Sequence, residues 1–369
     1  MNWLFEHKKI ALFFLGIVLL GAVVWGAAGK RESSFTASVE DTLLPSSNSS
    51  LKKREEIPLT KILTTDYHVF QTFNNCAPAA LSMALSYYGI NAGQETLAAD
   101  LRPYNNLTGK NDDKSTPPDE LAKKAEEYGL IPYFRAHGSI KLIQQFIAHD
   151  MPVVMRTLLY ADKDFAHYRV VKGYDDITKE IIQDDSFEGK NLRYSYDDFL
   201  DLWQPFNYGY LVLVPSGKRG VAENILGEEL DPALAWEKAL ERARFEIDAN
   251  PSDLDARFNL VTALYYTGDY TGATNVFETI EDQLPMHTLW YQIEPIQAYF
   301  ELGNYERVFE LSEKIFSDGN IAFSELYLLR GKSYLAQGNT ALAKQEFEKA
   351  VLYNKNYTAA AEALLTVGS

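Results

Sequence analysis

Cysteine is nearly missing from this chain: Cys76 stands alone among 369 residues. No intramolecular disulfide can form, and no cysteine-based metal cluster can be assembled. Basic residues are also in the minority. The sequence has 35 Lys and Arg against 51 Asp and Glu, a formal charge of −16. Its densest basic run is the short Lys52-Lys53-Arg54. A nucleic-acid binder normally presents a basic face, so the composition argues against nucleic acid as a partner. No motif calls for a metal or an organic cofactor. Hydrophobic content is 46%, ordinary for a globular chain with a sizeable core, and the length suits two or three domains.

What the chain does possess is one long apolar run. Residues 10–28 read IALFFLGIVLLGAVVWGAA, without a charge. At about 1.5 Å per residue such a helix crosses a bilayer core of roughly 30 Å. Lys8 and Lys9 precede it and favour a cytoplasmic N-terminus with the remainder outside, although Lys30 and Arg31 follow. Residues 1–29 are therefore expected to form an N-terminal transmembrane helix that anchors the protein to a membrane, with everything downstream extracytoplasmic. The alternative is a signal segment cleaved near Gly26-Ala27-Ala28, and secretion. Residues 30–55, rich in Ser, Thr, Asn and charge, read as a flexible linker.

The solitary cysteine sits in QTFNNCAPAALSMALSYYG, residues 71–89. From Pro78 onward the apolar spacing predicts a buried helix, with Gly89 as its stop. Cys76 then falls in the first turn. Partial positive charge at a helix N-terminus favours a thiolate, and the unpaired N–H groups there can hold an oxyanion. Gln71 lies five residues upstream and carries a neutral amide suited to a second oxyanion donor. Among the six histidines, His167 opens HYRVVKGYDD, which is followed by EIIQDD. This pattern predicts a hairpin of two strands joined through Gly-Tyr-Asp-Asp. His167 begins the first strand, and Asp184 or Asp185 ends the second. Neighbouring strands lie about 4.8 Å apart, close enough for such a carboxylate to orient the imidazole. A thiol at a helix start, an imidazole at a strand start and an acid on the next strand together point to nucleophilic catalysis.

These motifs resemble papain-like cysteine peptidases of the bacteriocin-processing, double-glycine type, in particular the free-standing members without a transporter. The resemblance is carried by QTFNNCAPAALSMALSYYG, AHYRVVKGYDD and IIQDDSFEG, with YSYDDFLDLW and FNYGYLVLV downstream, and covers about Lys61 to Pro215. It implies an α+β fold, a helical lobe carrying Cys76 against an antiparallel sheet carrying His167 and an aspartate. It further implies Cys76 as nucleophile, His167 as base, Asp185 as its orienting partner with Asp184 the other possibility, and Gln71 at the oxyanion. The family usually has Gly after the cysteine, where this chain has Ala77, and its Gln-to-Cys spacing is one residue longer. The expected substrate is a peptide or protein. Residues 56–216 form the expected peptidase domain. Within it 103–118 read as a polar loop, 119–129 as a helix, Val153 to Leu159 as a buried strand and Tyr196 to Trp203 as a helix. Trp203, Phe206, Tyr208 and Tyr210 are read as core.

After Pro215 the pattern changes. Residues 217–231 read as a linker, and 232–369 as all-α. Gly268, Gly303 and Gly338 recur every 35 residues, with Ala273 and Ala343, and Phe277 and Phe347, at matching places. This period resembles tetratricopeptide repeats: three helix pairs after a helix near 233–249. Such pairs bury their apolar faces only against their neighbours, and the array commonly binds a protein partner.

Overall fold

The structure is a computed structural model that describes residues 57–104 and 116–368. The expected membrane segment, the linker after it and most of the polar loop at 103–118 lie outside the described residues. Among the described residues no helix is long and apolar enough to cross a membrane.

The first part is α+β. In chain order it runs β1 (Thr60–Ile62), α1 (Cys76–Ser86), α2 (Gln94–Leu101), α3 (Pro118–Glu126), β2 (Leu130–Arg135), α4 (Ile140–Ala148), β3 (Val153–Leu158), β4 (Ala166–Asp175), β5 (Glu180–Asp185), β6 (Gly189–Ser195), α5 (Tyr196–Trp203), β7 (Tyr210–Pro215) and α6 (Arg219–Leu226). The strands make one antiparallel sheet in the order β2-β7-β3-β4-β5-β6, with β1 added to β4. Side chains on a strand alternate between faces. Val154, Val170, Leu211 and Leu213 accordingly pack with α1 and α3, while Val153, Met155, Val171, Val212 and Val214 pack with α4, α5 and α6. The sheet is buried on both faces, which explains why β7 reads as a continuous apolar run rather than an alternating one.

Two expectations need correction here. The hairpin turn is not Gly-Tyr-Asp-Asp. Strand β4 continues to Asp175, and the chain reverses through residues 176–179, with Lys179 at φ 58°. Gly173 is inside the strand because β1 crosses there: a Cβ at Gly173 would lie 2.9 Å from the Lys61 carbonyl oxygen. Residues 217–231 are not an unstructured linker either. They contain α6, whose Ala222 and Leu226 are buried, with Val221 and Ile225 packed on the same core. This apolar spacing is that of an amphipathic helix, and it fixes the segment to the sheet.

The second part is all-α: α7 (Pro232–Ala249), α8 (Leu254–Tyr266), α9 (Tyr270–Glu278), the short α10 (Thr288–Tyr291), α11 (Glu294–Glu301), α12 (Tyr305–Ser317), α13 (Ser324–Ala336), α14 (Thr340–Tyr353) and α15 (Thr358–Val367). The pairs α8/α9, α11/α12 and α13/α14 are the three repeats. Gly268, Gly303 and Gly338 join the two helices of each pair at φ 84°, 72° and 77°, a conformation that favours glycine. The residue after each glycine follows the same rule: Asp269, Asn304 and Asn339 each cap the second helix with a side-chain oxygen. Phe347 packs directly on the backbone of α13, where a Cβ at Gly331 would come within 2.3 Å of its ring.

Candidate active site

Helix α1 begins at Cys76, and its residues Ala77 to Leu85 are all buried. Ala77 is helical, so the missing glycine costs no strain; the left-handed residue of this segment is Asn74, at φ 52°. The helix ends at Ser86, and Gly89 lies in the turn that follows it, at φ 72°. Cys76 is half-buried at the head of a helix that the core holds rigidly.

The Cys76 thiol is held within electrostatic reach of the His167 imidazole, whose Nε2 donates to Asp185 Oδ1 at 2.9 Å. Burial alone would raise the Cys76 pKa, but the His167 hydrogen bond and charge, the Tyr168 N–H and the charge of Arg102 outweigh it, so the thiol is lowered. Burial alone would lower His167, yet Asp185 and Cys76 outweigh that and raise it. Both shifts favour the thiolate–imidazolium pair over the neutral pair.

Asp185 is fully buried. Its Oδ1 also accepts the N–H groups of Phe187 at 2.6 Å and Glu188 at 3.0 Å, and its Oδ2 accepts Arg169 Nε at 2.8 Å. Burial opposes its ionisation, but the His167 bond and charge, Arg169 and the Phe187 N–H hold the carboxyl well below the usual range. Asp184 points to the opposite face. There it pairs with Lys172 Nζ at 2.6 Å and accepts the Tyr87 hydroxyl at 3.0 Å.

Gln71 is brought beside Asp185 by two bonds to Ser186. Its N–H donates to the Ser186 carbonyl at 2.7 Å, and its Oε1 accepts the Ser186 hydroxyl at 2.9 Å. With the amide oxygen occupied, the –NH2 end is the one left to donate elsewhere. Trp203, Phe206, Tyr208 and Tyr210 are all buried, and the Trp203 indole donates to the Gly209 carbonyl at 2.8 Å.

Sequence reasoning passed over four contributors. Arg169 is fully buried, and besides Asp185 it binds Thr157 Oγ1 and the carbonyls of Leu158 at 2.6 Å and Leu159 at 2.7 Å. A signal for it existed: residues 167 and 169 share a strand face, so a base and a cation two apart both face the acid of the next strand. Ser186, the Tyr168 N–H and His68, whose Nε2 bonds the Asp185 carbonyl at 3.0 Å, gave no comparable signal.

A thiol at a helix head and an imidazole bonded to a buried carboxylate are thus carried by one α+β domain with an antiparallel sheet. Residues 55–211 match the model of the Peptidase_C39 like family, and a region of paired helices follows them. Among solved structures the chain is similar to a C39-like peptidase of Bacillus anthracis, at 15% identity and TM-score 0.36, covering 42% of this chain and 97% of that one. It is also similar to tetratricopeptide repeat proteins of Thermus thermophilus and of Parabacteroides merdae. The first matches at 21% identity and TM-score 0.32, covering 39% of this chain and 80% of that one. The second matches at 22% and 0.32, covering 42% and 66%. No curated protein matches the chain.

Proposed function

We propose that this protein is a thiol-dependent peptide hydrolase in which Cys76, His167 and Asp185 act together and Gln71 assists. The observation that carries the reading is the 2.9 Å bond from the buried His167 ring to the buried Asp185 Oδ1, with Cys76 at the head of α1 lowered by that same imidazole. The Cys76 thiolate attacks the substrate carbonyl carbon, and the carbonyl π electrons pass to the oxygen. The Gln71 –NH2 and a first-turn N–H of α1 hold that oxyanion. Imidazolium His167 gives its proton to the leaving amine, and the C–N bond breaks to leave a thioester. Water then attacks with His167 taking its proton, and the acid product departs as the thiolate returns. Asp185 keeps the ring oriented and stabilises its charged form throughout. A non-catalytic cleft would draw support from strain at Ala77 and from the short Gln71-to-Cys76 spacing; the helical backbone at Ala77 removes the first of these.

Residues 10–28 tether this domain to a membrane, with the catalytic part extracytoplasmic, and the helical repeats bind a protein or peptide partner. Alkaline extraction of membranes, with sequencing of the mature N-terminus, distinguishes the anchor from a cleaved signal. The central test is Cys76→Ala. New N-termini generated in a peptide library by the wild-type protein disappear in the variant, while its circular dichroism and thermal midpoint are unchanged. Full turnover by Cys76→Ala would end the proposal.

A further inference from the structure

Beside the site lies a group of large apolar rings turned toward solvent. Phe70 is 62% exposed, Phe187 54% and Phe73 40%. Scattered exposed apolar residues need no explanation, but exposed rings on the segments that build a reactive centre do. The backbone under these rings is fixed by the bonds that build the site. Phe187 donates its N–H to Asp185 at 2.6 Å, and its ring meets the His167 ring edge-on at 6.4 Å between centroids. Phe70 immediately precedes Gln71, whose N–H is bound to Ser186, the residue immediately before Phe187. The Phe70 carbonyl accepts Gln94 Nε2 at 2.8 Å, and its ring packs edge-on to His68 at 5.0 Å. Carboxylates in the neighbouring segments are already engaged: Glu188 accepts the Tyr194 hydroxyl at 3.0 Å, and Glu95 that of Thr72 at 3.1 Å.

The chemistry assigns this patch to one side of the substrate. In the reaction proposed above, His167 delivers its proton to the departing amine. A ring that edges His167 therefore borders the half of the substrate that leaves first. We propose that Phe187 and Phe70 form an apolar subsite for the leaving-group side, selecting peptides with a bulky apolar or aromatic residue immediately after the cleaved bond. The inference rests on the hydrolase reading and adds the substrate class to it. An apolar side chain accommodated in such a subsite discriminates by roughly ten- to a hundredfold.

Two measurements on the full chain separate this inference from the reading beneath it. In the first, a mixed peptide library is digested and both residues at every cut are read by mass spectrometry. Phe, Leu, Tyr and Met are enriched about tenfold over Asp and Gly on the amine side, and the double variant Phe70→Ala, Phe187→Ala flattens that ratio. In the second, fluorescent peptides that begin with Phe or with Asp are titrated into Cys76→Ala. The Phe-first peptide binds about tenfold more tightly, and the difference vanishes when both rings are removed. Cutting without an amine-side preference overturns the subsite and leaves hydrolysis standing. Preferential binding without any cutting overturns hydrolysis and leaves the subsite standing.

Discussion

Replacing Arg169 by Met removes the cation from a buried ion pair while nearly keeping its volume. Arg169 and Asp185 are both fully enclosed, so no water can take over the lost contacts. The variant strips Asp185 Oδ2 of its 2.8 Å partner and leaves Thr157 Oγ1 and the Leu158 and Leu159 carbonyls without their guanidinium donors. Breaking a buried pair on one side costs roughly 3–5 kcal/mol. Asp185 Oδ1 keeps His167 and two backbone N–H groups, so the lower end applies, about 3 kcal/mol. The assay is urea denaturation followed by tryptophan fluorescence, performed as a cycle with Asp185→Asn. Because the two side chains share a bond, Arg169→Met should cost about 1–3 kcal/mol less when Asp185→Asn is already present. The sign of the pH dependence follows from the depressed Asp185. Its contribution is complete above its unfolded value of about 3.9 and is lost as pH falls through the lower folded value. Without Arg169 the folded value rises toward the unfolded one, so the acid loss of stability is smaller and is complete at a higher pH. Equal costs with and without Asp185→Asn, or a cost below about 1 kcal/mol, would refute the coupling of these two residues.

Cys76 should react with iodoacetamide below the ordinary thiol range near 8.5, and His167→Ala should move that midpoint upward, because burial then dominates. The kcat/KM profile should be bell-shaped, its acid limb set by the lowered Cys76 and its alkaline limb by the raised His167; an alkaline limb below about 6.5 would contradict the ion pair. Gln71→Ala should lower kcat by about 10²–10³ with the alkylation rate intact. Ser186→Ala, which frees the amide oxygen, should cost only about fivefold, the worth of a net hydrogen bond near 1 kcal/mol. In the repeats, Gly331→Ala forces a methyl against the Phe347 ring and should destabilise by about 1–3 kcal/mol in urea titration; a neutral result would mean that Phe347 can turn away.

The start of α1 at Cys76 was legible because a helix pattern, a proline near its first turn and a closing glycine agree over residues 76–89. Strands β3 and β4 and helix α5 were legible for the same reason, each local preference matching its final environment. The choice between Asp184 and Asp185 was not. It depends on register, and the β4/β5 pairing shifts between Val171 and Gly173, which no local pattern announces. With Arg169 opposite Asp185, that aspartate joins the face of His167, and its neighbour turns to Lys172. The order of the sheet was equally hidden. Strand β7 lies between β2 and β3, far from both in sequence, and non-local pairing of this kind leaves no periodic trace. The helical nature of α6 could have been read from Val221, Ala222, Ile225 and Leu226, but Gly217, Gly220 and Gly227 around it argued for a loop.

The sequence reads as two separate modules, yet the repeats complete the peptidase domain. The turn that feeds β7 passes through Asn207 and Tyr208, both at positive φ, and both residues are buried. Buried backbone groups must find partners. Here helix α8 provides them: Asn259 accepts the Asn207 N–H at 3.0 Å and donates to the Gln204 carbonyl at 2.7 Å. Gln292 donates to the Pro205 carbonyl at 3.0 Å, and Arg242 of α7 covers the Tyr208 ring while donating to the Gly138 carbonyl at 2.9 Å. Farther along, His287 pairs with Asp164 at 2.8 Å on the connection between β3 and β4, the connection whose first carbonyl is held by Arg169. The repeats thus supply side-chain partners to the turn that feeds β7 and to the connection between β3 and β4, which makes the helical array a structural support of the peptidase domain as well as the proposed binding surface.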